Sequence, residues 1–361
     1  MEYRVHVSSC SRPNPKLLFM FCACAIFFIY LQGSLTGQLL TKFLSTTKAP
    51  ELQQTNINSR GFPALEEEEE RGLRILVMSS VGRSGSSFLG ELVAQLLNTI
   101  YIFEPLRFLQ EHSAEAVTSE NSKELLRSTY ECHFSQDWLQ FALKRNATLK
   151  SITECNRDIA TIKDCLTKLC LRKRNKLLKV IRFRVSWAKE LLNQDASLKV
   201  IHIVRDPRGT FQSLKSHKMV QRNYSQWCPK IQEDLEIGPL VSASFPKSFM
   251  SIKYEDLCYD PVGISLEIWS FLMGRNATSL PDTWSKYLDA HTKVSDKRQF
   301  SEYNTMRDSE KEAEAWRYEI DEQTLVGVER ECAKVLELLE HNKFGSLIQA
   351  RNMFLPLRRL N

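Results

Sequence analysis

A glycine-rich turn lies between an apolar segment and an amphipathic segment of this chain. The apolar run "ILVM" at 75–78 precedes the turn "SSVGRSGSS" at 79–87, and "SFLGELVAQLLN" at 87–98 has helical periodicity. A short continuous apolar run bounded by turn residues is typical of a strand buried on both faces, as in parallel sheets. A strand, a glycine turn and a helix in this order predict a unit of an α/β fold.

This turn has the residue types that bind an anion. Gly82 and Gly85 permit backbone angles that direct N–H groups inward, and the helix that follows contributes unpaired N–H groups and the positive end of its dipole. Arg83 adds a full positive charge. Hydroxyl donors complete the set, namely Ser84, Ser86 and Ser87. A phosphate or sulfate group is therefore the expected ligand.

A nucleoside triphosphate is the first candidate ligand, and the residue spacing argues against it. The motif G-x-x-x-x-G-K-[ST], counted from Gly82, places its second glycine on Ser87 and its lysine on Phe88. The turn therefore lacks both the lysine for the terminal phosphate and the matched serine for magnesium. We expect a ligand with fewer charges that binds without a metal.

A second candidate phosphate site lies in "VIHIVRDPRGTFQSLKSHK" at 200–218. A β-branched run ends before Arg205, and a helix is predicted from Pro207 to about Val220, because proline is favoured in a first helical turn. Arg205 and Ser213 can then converge on one phosphate, with the arginine donating charge-assisted hydrogen bonds. Taken alone, this segment favours an ordinary strand-to-helix loop with an Asp–Arg pair.

Further apolar runs predict the rest of the sheet. The predicted strands span 73–80, 99–105, 177–185, 198–207 and 248–257, and the composition of 310–341 is helical. Strands that alternate with helices indicate an α/β fold, here a P-loop-like parallel sheet flanked by helices. The chain is predicted to form this domain over 73–350, followed by a C-terminal tail at 351–361.

The N-terminal segment is predicted to cross a membrane. No charged residue lies between Lys16 and Lys42, and "LLFMFCACAIFFIYL" at 17–31 is almost wholly apolar. We predict a cytoplasmic tail at 1–16, a signal-anchor helix at 17–37 and a lumenal stem at 38–72, because Arg4, Arg12 and Lys16 precede the apolar run. A cleaved signal peptide is the competing interpretation.

A lumenal domain predicts glycosylation and disulfide bonds, and the sequence contains residues for both. Three sequons lie beyond the apolar segment, at Asn146, Asn223 and Asn276. Seven cysteines also lie beyond it, at 132, 155, 165, 170, 228, 258 and 332. Because seven is odd, at most three internal disulfides form and one thiol remains.

The two anion-binding segments together resemble the nucleotide-binding boxes of the Golgi carbohydrate sulfotransferases. "RSGSSF" at 83–88 is similar to the first box and "VRDPRGTFQS" at 204–213 to the second, and the resemblance extends to "YEDLCYDP" at 254–261 and "YNTMRDSEKEAEAWR" at 303–317. It is strongest to the branch that sulfates the 6-hydroxyl of galactose, N-acetylglucosamine or N-acetylgalactosamine. The middle region, 107–175, has no clear counterpart.

In that family the first box contacts the 5′-phosphosulfate of 3′-phosphoadenosine 5′-phosphosulfate (PAPS), and the second contacts its 3′-phosphate. The resemblance therefore implies PAPS as co-substrate, without a metal. The implied donor-binding residues are Gly82, Arg83, Ser84, Gly85, Ser86, Ser87, Phe88, Arg205, Asp206, Pro207, Arg208, Gly209, Thr210, Phe211, Gln212 and Ser213.

Two residues are candidates for catalysis. Arg83 cannot lose its proton, so it would stabilise the charge that develops during sulfuryl transfer. Glu104 follows the second strand at the edge where ligands bind in α/β sheets, and the "E-P" glutamate of the family supports a role as general base. The structural alternative is a glutamate that caps the turn before Pro105. His202, within a strand, and His217, on the helix after the second box, are weaker candidates.

The basic stretch "RKRNKLLKVIRFR" at 172–184 has two interpretations of equal weight. It forms either a groove for an anionic polysaccharide or a solvated helix end followed by a strand with Arg182 and Arg184 on one face. A lumenal location excludes nucleic acid as a partner. The expected partners are a glycan acceptor and the Golgi membrane, and the sequence leaves a homodimer open.

These features predict a single-pass type II Golgi enzyme that transfers sulfate from PAPS to a hydroxyl of a glycan, most favourably a 6-hydroxyl. A protein-tyrosine sulfotransferase is the alternative within the fold. A lumenal glycan-binding protein without turnover is the alternative outside enzymes.

Overall fold

The core of the domain is a parallel sheet whose carboxyl ends lie along one edge. A computed structural model describes residues 72–145, 147–217, 224–293 and 305–359. Within them the sheet has five strands in the order β2-β3-β1-β4-β5. The strands are β1 (Arg74–Met78), β2 (Thr99–Phe103), β3 (Asn175–Val180), β4 (Leu198–Val204) and β5 (Phe249–Lys253). The predicted α/β class, with a parallel sheet flanked by helices, is confirmed.

The register places the strand ends close to one another. Met78 at the end of β1 lies opposite Val180 of β3 and His202 of β4, and Phe103 at the end of β2 lies opposite Lys179. All neighbouring pairs in this sheet run parallel. Residues that directly follow the strands therefore meet at one edge, which is where ligands bind in sheets of this type.

Helices cover both faces of the sheet. Those before β4 are α1 (Ser86–Val93), α2 (Arg107–His112), α3 (Ser119–Tyr130), α4 (Gln136–Lys144), α5 (Ile162–Arg172) and α6 (Val185–Leu192). Those between β4 and residue 293 are α7 (Pro207–Ser216), α8 (Tyr224–Ser244), α9 (Tyr254–Tyr259), α10 (Pro261–Met273) and α11 (Asp282–Thr292). The C-terminal helices are α12 (Ser309–Glu314), α13 (Trp316–Glu319), α14 (Glu322–Glu331), α15 (Ala333–Leu338) and α16 (Leu347–Arg351).

The alternation of side chains along the strands divides the apolar core into two layers. Leu76 of β1 packs with Leu126, Trp138 and Leu166 of the helices on one face. Ile75, the preceding residue, packs on the other face, in a cluster completed by Leu89, Val93, Ile268, Trp284 and Leu288. Strand β1 is therefore buried on both sides, which explains why its sequence is a continuous apolar run.

Several predicted boundaries differ from the structure. The predicted strand 177–185 ends at Val180, because Val185 starts α6 and its N–H donates to Asp234 Oδ1 at 2.9 Å. The predicted strand 248–257 ends at Lys253, where α9 begins. The predicted helical stretch 310–341 is divided into α12 to α15, and Asp321 caps α14 by accepting from Thr324 N. Helix α8, which contains Pro229 and Pro239, was not predicted.

Three disulfides connect the helical regions, as predicted from the odd number of cysteines. They join Cys132 to Cys170, Cys155 to Cys165 and Cys228 to Cys332. Among the described cysteines, Cys258 is left as a buried thiol. Two of the bonds lie in the middle region that resembles no motif, so this part is held by covalent links between its helices.

The predicted membrane anchor, 17–37, and stem, 38–72, lie almost wholly outside the described residues, as do Asn146 and Asn223. Over the ranges that the structure covers, none of the helices has both the length and the apolar character needed to span a bilayer. Asn276 is exposed in the segment between α10 and α11. In the predicted C-terminal tail, Leu357 is buried beside Trp316 and Phe344.

Two disulfides, which close the longest and the shortest chain segments, should differ in how much each contributes to stability when it is removed alone. Cys228 and Cys332 are 104 residues apart, and Cys155 and Cys165 are 10 apart. In the chain-entropy description, losing the first bond lowers the free energy of unfolding by about 4.7 kcal/mol and losing the second by about 2.7 kcal/mol. Guanidinium unfolding of the two double Cys→Ala variants measures both. Equal losses would contradict this account.

Candidate active site

A cavity of about 420 Å³ lies at the carboxyl edge of the sheet. Residues that follow each of the five strands line it: the turn 81–88 after β1, Glu104 after β2, Arg182 after β3, Arg205 after β4 and Tyr254 after β5. The two anion-binding segments predicted from the sequence therefore share one cavity with Glu104.

The turn after β1 is shaped by two residues with unusual backbone geometry, one on each side of Ser84. Arg83 and Gly85 both have left-handed φ angles, of 67° and 82°. A Cβ atom on Gly85 would lie 2.3 Å from the ring of Tyr254, so glycine is required for space as well as conformation. No side chain caps the N-terminus of α1, so its first N–H groups remain available to a ligand.

Not every predicted residue of this turn reaches the cavity. Ser86, Ser87 and Phe88 line it together with Gly82 and Arg83. Ser84 is buried and its hydroxyl donates to the carbonyl of Val81 at 2.8 Å. Ser84 therefore supports the turn from behind.

The first and second predicted segments are bonded to each other. Arg83 Nε donates to Ser213 Oγ at 3.0 Å, and Arg205 Nη1 donates to the carbonyl oxygen of Arg83 at 3.1 Å. The guanidinium of Arg205 also lies over the ring of Tyr254, with its Cζ 4.2 Å from the ring centre. Arg205 is buried, and its Nε has no hydrogen-bond partner. Among the residues that the structure describes, none supplies an acceptor for this donor, which marks a place for an acceptor on a ligand.

The residues between Arg205 and Ser213 lie beneath the cavity. Asp206 accepts from the N–H, Nε and Nη2 of Arg208 at 2.7–3.0 Å, and Arg208 Nη1 donates to Glu329 at 2.7 Å. Both Asp206 and Arg208 are fully buried. Burial alone would raise the pKa of Asp206, but Arg208 and His341 outweigh it and hold the pKa well below its ordinary value. The structure therefore gives Arg208 a packing role at the start of α7.

The other predicted donor ligands of this helix are also buried away from the cavity lining. They are Pro207, Gly209, Thr210, Phe211 and Gln212. Gly209 lies against the ring of Trp316 and the side chain of Arg205, where a Cβ atom would come within 2.9 Å and 3.1 Å of them. Of the second predicted segment, Arg205 and Ser213 are the residues that line the cavity.

Glu104 is held by two cations on the opposite side of the cavity. Its Oε1 accepts from Lys179 Nζ at 2.5 Å, and its Oε2 accepts from Arg182 Nη1 at 2.8 Å. The φ angle of Glu104 is 52°, and its N–H donates to the carbonyl of Lys179 at 2.8 Å. The side chain thus does not cap the turn before Pro105. It faces the cations and lines the cavity.

Lys179 and Arg182 come from the basic stretch 172–184, whose charges point in different directions. Lys179 is buried beneath the ring of Phe103, 4.7 Å from its centre, and burial lowers the pKa of its ammonium. Arg182 also bonds Gln110 at the cavity wall. Arg184 instead turns away to Glu233 and Asp234 of α8. The stretch is therefore neither one continuous groove nor a wholly solvated face.

Other cavity residues come from segments that the sequence analysis gave no role. They include Arg107, Trp227, Tyr254, His291, Thr292, Thr305, Arg307, Ser309 and Glu312. Thr305, Arg307, Ser309 and Glu312 belong to "YNTMRDSEKEAEAWR", which was noted only as part of a resemblance. That motif is the sequence feature that could have indicated this side of the cavity.

The two histidine candidates have different surroundings. His202 is buried in β4 with its Nδ1 3.0 Å from Ser251 Oγ, and burial lowers its pKa to about 4. It is the core histidine that its position in a strand predicts. His217 at the end of α7 has its Nε2 3.2 Å from Nη2 of Arg83, so it supports that arginine from the side.

No protein-family model matches the sequence. Curated relatives do: carbohydrate sulfotransferase 1 of Danio rerio is 25% identical over 357 residues, covering 82% of this chain and 84% of that protein. The human protein of the same name is 24% identical and covers 78% and 82%. Carbohydrate sulfotransferase 3 of Rattus norvegicus is 26% identical and covers 78% and 72%.

Among solved structures, the sulfotransferase domain of the Synechococcus PCC 7002 olefin synthase matches 72% of this chain and 95% of that domain, with 22% identity and a TM-score of 0.40. The comparison with known proteins therefore rests on the sequence relatives. They confirm the resemblance to carbohydrate sulfotransferases that the two anion-binding segments indicate.

Replacing Arg208 should test whether it packs the domain or binds a ligand. Arg208→Met leaves Asp206 and Glu329 buried without their partner, so we expect a loss of roughly 3–5 kcal/mol in the free energy of unfolding. Lys215→Met removes an exposed ion pair to Asp321 from the same helix and should cost under about 1 kcal/mol. Urea unfolding measures both. A stable Arg208→Met variant that had lost only donor affinity would assign the residue to ligand binding.

Proposed function

We propose that this chain transfers a sulfuryl group from PAPS to a hydroxyl, most favourably the 6-hydroxyl, of galactose, N-acetylglucosamine or N-acetylgalactosamine in a glycan. One observation carries the proposal: Arg83, Arg205 and Ser213 form a bonded group in the same cavity as a carboxylate held by Lys179 and Arg182. The names of the sequence relatives support sulfuryl transfer to a carbohydrate.

The residues of the cavity fit a donor with two separate anionic groups. Gly82, Ser86 and Ser87 with the uncapped end of α1 would hold the phosphosulfate, beside Arg83. The unpartnered Nε of buried Arg205 and the hydroxyl of Ser213 would hold the 3′-phosphate. The bound donor supplies a sulfuryl group whose sulfur bonds to the acceptor oxygen as its bond to the phosphate oxygen breaks.

A metal is not needed for the charge balance of this site. The transferred group carries a single negative charge, and Arg83, Lys179 and Arg182 all line the cavity. We therefore assign charge stabilisation to these cations and to backbone N–H groups.

Glu104 would accept the proton of the acceptor hydroxyl. Lys179 and Arg182 each bond one oxygen of its carboxylate, and all three residues line the cavity. Release of one oxygen from its cation would free that oxygen to take the proton. Arg182 is the more exposed of the two partners, so we assign the release to its side chain, which can turn toward an anion in the cavity.

We further propose that the enzyme is a single-pass type II protein of the Golgi membrane with its catalytic domain in the lumen. The three disulfides support an oxidising compartment. The exposure of Asn276 supports modification at that sequon. The apolar run 17–31 supports the anchor.

Replacing Glu104 by glutamine should separate catalysis from donor binding. Glu104→Gln keeps the shape of the side chain and removes the base, so we expect turnover to fall by about 10²–10⁴-fold. Binding of the desulfated product, 3′-phosphoadenosine 5′-phosphate, should be unchanged by calorimetry. Glu312→Gln, a second carboxylate of the same cavity, is the matched control and should retain turnover. Near-normal activity of Glu104→Gln would remove this residue from the mechanism.

An acceptor panel should identify the class of reaction. The full chain, incubated with radiolabelled PAPS, neutral and sulfated glycans and tyrosine peptides, should label only glycans, and linkage analysis should place the sulfate on a 6-hydroxyl. Labelled tyrosine peptides would instead establish a protein-tyrosine sulfotransferase. Donor affinity without transfer to any acceptor would favour a binding protein that lacks turnover.

A further inference from the structure

Arg83, Ser213 and His217 form a closed ring of hydrogen bonds where the two anion-binding segments meet. Arg83 Nε donates to Ser213 Oγ at 3.0 Å, and Arg83 Nη2 lies 3.2 Å from His217 Nε2. The ring closes at the end of α7, where His217 Nδ1 lies 2.9 Å from the carbonyl oxygen of Ser213. Of the three residues, Arg83 and Ser213 line the cavity, so His217 can act on the site through them.

These contacts determine which nitrogen of His217 carries the proton. A carbonyl oxygen only accepts, so His217 Nδ1 must carry the hydrogen that is donated to Ser213. A guanidinium only donates, so His217 Nε2 must present its lone pair to Arg83. One state of the imidazole meets both conditions, the neutral tautomer with its proton on Nδ1. A protonated imidazole would direct an N–H group and a positive charge at the guanidinium.

We infer that His217 is a positioning residue, which orients the guanidinium of Arg83 as a neutral hydrogen-bond acceptor. Arginine has a long side chain with many rotamers, and bonds to Nε and Nη2 together fix the direction and the plane of its guanidinium. The backbone of Arg83 is held by Arg205, whose Nη1 donates to its carbonyl oxygen at 3.1 Å. The inference rests on the proposed function, in which this guanidinium stabilises the charge that develops during sulfuryl transfer.

The neutral state of the acceptor matters for the charge of the site. On the other side of the cavity, Lys179 and Arg182 are bonded to the carboxylate of Glu104, which offsets their positive charge. A neutral imidazole does not cancel the charge of the arginine that it orients. His217 therefore fixes Arg83 in place and leaves its full charge to act on a ligand.

Two other roles for His217 fit these contacts less well. A general base needs a lone pair that faces the acceptor hydroxyl, and the lone pair on Nε2 already accepts from Arg83. A bond that ends a helix accounts for Nδ1 but not for Nε2. His112 at the end of α2 has the same kind of bond, with its Nδ1 3.0 Å from the carbonyl oxygen of Phe108, and is not among the residues that line the cavity.

Nitrogen NMR of the full chain tests the hydrogen-bond arrangement without a substrate. Histidine is labelled with ¹⁵N, and the signals of His217 are identified by their loss in His217→Gln. We expect two-bond ¹⁵N–¹H correlations at about pH 8, where an unperturbed histidine is neutral, to place the proton on Nδ1. A proton on Nε2, or on both nitrogens, would overturn the inference.

Three variants test the contribution of the acceptor to turnover. His217→Gln keeps a neutral acceptor and should retain kcat within about threefold, whereas His217→Leu removes it and should lower kcat about 10- to 100-fold, the range for one hydrogen bond to a charged group. Affinity for 3′-phosphoadenosine 5′-phosphate should change little in both. His217→Glu keeps an acceptor but cancels the charge of Arg83, so its kcat should fall as in His217→Leu. His112→Leu loses the same kind of helix-terminal bond and should leave kcat unchanged.

The outcomes separate this inference from the proposed function. Equal kcat in His217→Gln and His217→Leu, whether normal or low, would overturn the inference, and so would a loss confined to donor affinity. A wild-type chain that transfers no sulfate would contradict the proposed function, and in that case the NMR experiment alone decides whether His217 is the neutral acceptor for Arg83.

Discussion

The buried ion pair of Asp206 and Arg208 is the interaction on which the candidate site depends. It lies where β4 passes into α7, immediately after Arg205, and it extends through Glu329 to the N–H groups of Phe344 and Gly345. The edge of the sheet that borders the cavity and the C-terminal segment are thus parts of one hydrogen-bonded network. A charge with all its partners in place can be fully buried, whereas removal of one partner leaves the rest uncompensated.

The cavity has one rigid side, and on its other side the ion pairs can change. Arg83 is bonded to Ser213 and contacts His217, so its position is fixed before any ligand enters. On the opposite side, Lys179 and Arg182 are bonded to Glu104. An anionic ligand would compete with Glu104 for these two cations. One side of the cavity thus has hydrogen-bond donors already in place, and the other has cations that can exchange one anion for another. This arrangement suits a reaction that moves negative charge between two groups.

The sequence predicted the elements that depend on local pattern. The apolar runs, the glycine turn and the proline at the start of α7 specify β1, α1 and the entry to the second segment, because each follows from side-chain periodicity or backbone conformation near the site. The partners of Glu104 did not follow from local pattern. Lys179 lies within an apolar strand and meets Glu104 only because β2 and β3 are neighbours in the sheet.

The sequence also does not show which residues of the second segment line the cavity. Arg208 and Gln212 have side chains that can donate to phosphate, and only the packing of α7 against the C-terminal helices shows that they are buried with Asp206. Likewise Val185 starts α6, where the side chain of Asp234 from a distant helix accepts its N–H. Such boundaries are decided by tertiary contacts, which a single sequence does not reveal.

The left-handed backbone of Arg83 and Glu104 has a consequence for how such an enzyme can change over time. These conformations cost a non-glycine residue free energy, and the surrounding bonds to Ser213, Lys179 and Arg182 are what sustain it. Selection for stability alone would favour glycine or asparagine at both positions. Glycine or asparagine at either position would therefore relieve local strain and remove a charge that faces the cavity, so stability and the charge of the site are traded against each other there.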